Sequence, residues 1–78
     1  MDLYVSNLGD QITDESLRAV FATHGRVRTS TIIKDQLTGC SKGFGFVNMP
    51  DDSEAQNAIK YIHGSVVNGR YVSVTEAW

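Results

Sequence analysis

The sequence predicts an α+β fold in which a strand–helix–strand unit is written twice, giving the order βαββαβ. Three observations carry this. Runs rich in strand formers stand at 3–8, 27–34 and 42–49, and an alternating run closes the chain. Two runs with apolar residues at helical spacing fall between them, each opened by a capping residue and acids. Both helical runs end in His-Gly, at 24–25 and 63–64, which hints at a pseudo-repeat.

Each element has a local cause. "LYVSNL" (3–8) alternates and forms a first strand. Thr13 is placed as an N-cap, with Asp14 and Glu15 in the first turn, where the helix dipole favours acids. Leu17, Val20 and Phe21 make one apolar face, and Gly25 can take the left-handed cap conformation. "VRTSTIIK" (27–34) is a second strand. Val27 and Ile32 have opposite parity there, so burying both implies a bulge. "DQLTGCS" (35–41) is a turn-rich loop. "KGFGFVNM" (42–49) is a third strand, ended by Pro50. Asp51 and Glu54 then stand at capping-box spacing before the apolar face of Ala55, Ala58, Ile59 and Ile62. An Asn68-Gly69 turn precedes the last strand. This order is the split-βαβ, ferredoxin-like arrangement, a four-stranded antiparallel sheet with both helices on one face. Residues 1–78 read as a single domain without a linker.

Composition narrows the class. A chain of 78 residues buries only roughly 60% of its extended surface, enough for two layers but not for an enclosed substrate chamber. Cys40 is the single cysteine, so neither an intrachain disulfide nor a cysteine-rich metal framework is expected. No apolar run reaches membrane-helix length and no signal peptide opens the chain, which reads as cytoplasmic, with no membrane contact. The net charge of −2 counts against a polyanionic partner. Its distribution counts the other way. Asp14, Glu15, Asp51, Asp52 and Glu54 all fall at helix starts, whereas Lys34, Lys42 and Arg70 lie in or beside strands. A modest basic rim follows, diluted by Asp35 and Glu76.

Two helices cover only one side of a sheet, and side chains alternate along a strand. In the third strand Gly45, Val47 and Met49 share one parity, while Phe44, Phe46 and Asn48 share the other. In the first, Leu3 and Val5 oppose Tyr4 and Ser6. The aliphatic sets belong against the helices, so Tyr4, Phe44 and Phe46 fall on the uncovered face. Ser6, Thr31, Ile33, Tyr71, Ser73 and Thr75 join them if the register holds. An exposed aromatic patch implies a partner, and flat rings beside Lys42 suit stacked bases and nearby phosphates. Gly43 and Gly45 are consistent with close approach of another group to this strand.

These residues carry a resemblance. "KGFGFVNM" matches the octamer motif of RNA-recognition-motif domains at all but its last position, and "LYVSNL" matches their hexamer motif throughout. "TDESLRAVFATHG", "IIKDQLTGCSKGFGFV" and "EAQNAI" sit where that family expects them, so the resemblance spans essentially the whole chain. The short form is similar to stand-alone bacterial RNA-binding proteins of the family. The resemblance implies binding of single-stranded RNA, with weaker binding of single-stranded DNA, and a role in post-transcriptional regulation or RNA chaperoning. The RNA-binding residues it implies are Tyr4, Lys42, Phe44, Phe46, Asn48 and Trp78; for Trp78 a base stack and a frayed terminus remain open. Met49 replaces the aromatic the family prefers, at a position that parity turns into the core. Cys40 stands where relatives often carry a basic residue, which removes one phosphate contact.

Other readings are weaker. Asn7 braces the end of the first strand in preference to reading a base. His24 and His63 sit at helix ends as dipole-complementing cations, with no partners at metal-ligand spacing, so neither metal nor cofactor is expected. Gly43-Phe44-Gly45 lies within a strand and is no dinucleotide fingerprint. No catalytic constellation appears, and the chain reads as a monomeric binding module, not an enzyme. The acidic helical layer leaves a second reading, a basic protein partner.

Overall fold

The computed structural model describes residues 1–77. Its elements are β1 (Asp2–Ser6), α1 (Asp14–Ala22), β2 (Thr29–Lys34), β3 (Ser41–Asn48), α2 (Asp52–Ile62), β4 (Val66–Val67), β5 (Arg70–Tyr71) and β6 (Ser73–Ala77). Four strands form an antiparallel sheet in the order β2-β3-β1-β6, with β4 and β5 as a separate hairpin. The predicted βαββαβ frame is therefore present, with one addition. Asn68 and Gly69 both take positive φ, 51° and 76°, as a tight hairpin turn requires, and that turn closes its own two-stranded hairpin before β6 begins.

The helices start where their caps place them. Thr13 Oγ1 accepts the Ser16 N–H at 3.1 Å, and Asp51 Oδ1 accepts the Glu54 N–H at 3.0 Å. The capping box of α2 is only half built. Glu54 Oε1 instead accepts the Arg26 N–H at 3.1 Å, tying the loop after α1 to the start of α2. Gly25 is not the cap of α1, which ends earlier at Thr23. A Cβ at position 25 would lie 2.6 Å from the Glu54 side chain.

Leu17 and Phe21 of α1 and Ala55, Ala58 and Ile62 of α2 are buried against Leu3, Val5, Ile32, Val47 and Val74 of the sheet. Val20 and Ile59 pack at the margin. Met49 is fully buried, as parity requires. Val27 and Ile32 are both buried without the expected bulge between them, because β2 begins only at Thr29 and Val27 reaches the core from the preceding loop. The irregularity falls later, between Ile32 and Lys34. Truncating Phe21 to Ala would cost about 3–5 kcal/mol, much of the roughly 5–15 kcal/mol available to a small domain.

The two edge strands are closed by side chains from the helical layer. At β2, the Ile32 N–H donates to Asp14 Oδ1 at 2.7 Å, and Ser30 Oγ donates to the Asp14 carbonyl at 3.0 Å. At β6, the Val74 N–H donates to His63 Nδ1 at 3.0 Å. The expectation for His63 changes accordingly, since an accepting Nδ1 carries no proton and the ring serves as a strand cap. His24 lies at the end of α1, as expected, and makes a contact of its own. Its ring stacks parallel to Tyr61 of α2, 5.7 Å between centroids with planes 4° apart.

Asp14→Ala and His63→Leu each leave an edge amide without its partner. Each should cost about 1 kcal/mol and speed hydrogen exchange at Ile32 or Val74 respectively, read residue by residue by NMR. Asp51 gives a second test. Bonds from the Glu54 N–H and the Ser53 hydroxyl lower its pKa below the ordinary 3.8. A depressed carboxylate stabilises the fold above its unfolded pKa and loses that effect as pH falls through the folded value. Asp51→Asn should therefore flatten the acid limb of a melting-temperature profile in that range, by lowering the melting temperature at neutral pH toward its acid value.

Candidate nucleic-acid interface

The register of the sheet assembles the aromatic residues. Leu3 pairs with Val47 and turns into the core; Tyr4 pairs with Phe46 and turns outward. Thr31 lies opposite Phe46 on one side, and Thr75 opposite Tyr4 on the other. The row Thr31–Phe46–Tyr4–Thr75 thus crosses the whole sheet. Tyr4 and Phe46 are 5.5 Å apart at 50°, and Tyr4 and Phe44 are 5.8 Å apart at 47°. These tilted contacts hold the three rings as one platform. Phe46 remains 39% exposed, while Tyr4 and Phe44 are half-buried.

The glycines beside the rings have structural duties. Gly45 faces away from the platform, and a Cβ there would lie 2.5 Å from the Thr31 carbonyl oxygen of β2. Gly43 has φ +88°, a conformation that favours glycine, and its carbonyl accepts the Leu8 N–H at 2.8 Å. The group that approaches closely at Gly45 is the neighbouring strand.

The remaining expected residues separate. Lys42 is exposed on β3, and Lys34 pairs with Ser41 beside it. Arg70 reaches the same end from the hairpin: its guanidinium donates to Asn7 Oδ1 at 3.3 Å and packs on Gly9, which adjoins Gly43. Asn7 itself takes φ 62° and donates from Nδ2 to the Tyr71 carbonyl at 2.8 Å, bracing the end of β1 as expected. Tyr71 belongs to the hairpin and not to the four-stranded sheet, which corrects its expected place on the open face. Asn48 lies at the opposite end, paired with Asp2, and donates from Nδ2 to Asp2 Oδ1 at 2.6 Å. Its Oδ1 is buried and has no partner among the described residues. Trp78 lies outside the described residues.

Asp2 is an open-face residue that sequence reasoning missed, as is Thr29 across Asn48 from it. Asp2 shares the parity of Tyr4, and starting the first strand at Leu3 hid it. With Asp2 placed, the face has a charge axis. Lys34, Lys42 and Arg70 gather at one end, and the Asp2 carboxylate stands at the other, about 20 Å away for six residues of strand.

The chain and its fold have counterparts among known proteins. The RNA recognition motif model matches residues 3–73. The chain belongs to that family. A putative RNA-binding protein RbpB from Nostoc sp. is 43% identical over 77 residues, covering 99% of this chain and 75% of its own length. The chloroplastic RNA-binding protein CP29B of Arabidopsis thaliana is 41% identical over 96% of this chain, which spans only 26% of it. Among solved structures, the crystal structure of RNA binding protein PG1 superposes with TM-score 0.95 at 38% identity, covering 99% of this chain and 93% of that one. The Sxl-lethal protein/RNA complex superposes with TM-score 0.92 at 36% identity, covering 97% and 47%. In this RRM domain no described helix is long and apolar enough to cross a membrane.

The platform and its support should separate by mutation. Phe46→Ala removes an exposed ring and should leave the amide spectrum folded, with stability changed by about 1 kcal/mol or less. Gly45→Ala forces a Cβ against the β2 backbone and should cost about 1–3 kcal/mol. That corresponds to a melting temperature lower by at least about 4 °C.

Proposed function

We propose that this domain binds single-stranded RNA on the open face of its sheet. The observation that carries the reading is the continuous Tyr4–Phe44–Phe46 platform on a face that neither helix covers. Two or three bases stack on these rings, Lys42 contacts the backbone or a base edge, and Asn48 lines the far end of the strip. Trp78 is retained as a stacking residue on the strength of the family resemblance. Single-stranded DNA binds more weakly, and the domain acts as a monomer, as a binding module and not as an enzyme. Post-transcriptional RNA regulation or chaperoning is the role we assign, in the cytoplasm.

The rival reading, a basic protein partner on the acidic helical layer, loses support from the geometry. Asp14 holds the β2 edge, Asp51 caps α2, and Glu54 binds the Arg26 amide, so these acids already have intrachain partners.

Stacking contributes about 1–3 kcal/mol per base by alanine substitution, which after ordering costs places affinity at about micromolar to tens of micromolar. Two or three neutralised phosphates give a salt slope of about −1.4 to −2. Fluorescence anisotropy with short single-stranded RNA should show Phe46→Ala weakening binding by about 5-fold to 150-fold. Lys42→Gln should mainly flatten the salt slope, by about 0.7. Unchanged binding by a folded Phe46→Ala protein would overturn the reading.

A further inference from the structure

We propose that Asp2 is a base-reading residue that selects guanine at one end of the stacking platform. The inference rests on the RNA-binding reading above and adds a specificity to it. Asp2 lies on the open face two residues before Tyr4 on the same strand, about 7 Å along it. A base stacked on the Tyr4 ring can turn an edge toward that carboxylate. Asp2 is exposed and makes no ion pair among the described residues. Its one side-chain bond is from Asn48 Nδ2 to Oδ1 at 2.6 Å.

That bond has two consequences. It fixes the carboxylate plane against β3, leaving Oδ2 open as well as the second lone pair of Oδ1. It also uses one of the two Asn48 Nδ2 N–H groups, while Asn48 Oδ1 is buried without a partner among the described residues. The Asp2 carboxylate therefore offers incoming groups acceptors alone. An uncompensated carboxylate repels phosphate, so the sugar–phosphate chain is favoured at the Lys34, Lys42 and Arg70 end, and a base meets Asp2.

The chemistry of the bases then decides which one. A carboxylate is satisfied by two adjacent N–H groups, as in the bidentate pairs it makes with arginine. Guanine presents that arrangement on its Watson–Crick edge, N1–H beside the N2 amine. Adenine sets its N6 amine beside the N1 acceptor, cytosine its N4 amine beside the N3 acceptor, and uracil flanks N3–H with two carbonyls. In each of those, one carboxylate oxygen faces a lone pair. Base-edge readout of unstacked nucleotides is the means by which RNA sequence is distinguished.

The test is a titration of the folded domain with RNA pentamers, all uridine except one scanned position carrying guanine, adenine, cytosine, uracil or inosine. At one position guanine should bind about tenfold tighter than uracil, within the discrimination expected of a bidentate contact. Inosine, which lacks only the N2 amine, should lose most of that gain. Asp2→Ala, and Asp2→Asn as a near-isosteric control for folding, should reduce the preference to within about twofold. Binding of the all-uridine pentamer should stay equal or tighten as the negative charge goes. A guanine preference that survives both variants, or wild-type protein indifferent to the scanned base, overturns the proposal while Phe46-dependent binding of uridine RNA persists. Wild-type protein that binds none of the pentamers overturns the RNA-binding reading itself, and this inference with it.

Discussion

The β1–β3 pairing is the constraint on which the rest of the molecule depends. It sets Leu3 against Val47 on one face and Tyr4 against Phe46 on the other. Because strand side chains alternate with a period of two, a slip of one residue would send the aliphatic pair to water and the rings into the core. Burial of Leu3, Val5 and Val47 under the helices opposes that slip. The rings are therefore displayed because their neighbours are buried, and the energy that fixes the platform comes from the opposite face.

The helical layer does more than cover the core. Asp14 and His63 reach past it to the outer strands and occupy amides that would otherwise template pairing with another chain. Glu54 binds the Arg26 amide and links the two halves of the fold. Residues that suggest a charged docking surface, or cationic helix ends, are thus committed to the architecture. On the open sheet face, by contrast, the clustering of Tyr4, Phe44 and Phe46 serves no packing against the helices.

That face reconciles an acidic protein with a polyanionic partner. The domain has a net charge of −2, yet Lys34, Lys42 and Arg70 converge on one end of the sheet from β2, β3 and the hairpin. Most of the affinity we assign comes from ring stacking, which is indifferent to net charge, so a few cations suffice to orient the strand. The carboxylate at the far end then adds direction to a surface that would otherwise accept any base in any order.

By itself the sequence determined the βαββαβ order, both helix N-caps, the Asn68-Gly69 turn and the facing of Tyr4, Phe44, Phe46 and Met49. All of these follow from periodicity and from bonds between near neighbours in the chain. Only the tertiary structure decided the rest. Gly45 is a glycine because the Thr31 carbonyl occupies the space its side chain would need. His63 is an acceptor because Val74, eleven residues on, brings an unpaired amide to it. Asp2 belongs to the aromatic face because pairing with Asn48 extends β1 one residue earlier than its composition suggests. Each of these depends on where a distant segment comes to rest, and local pattern carries no record of that.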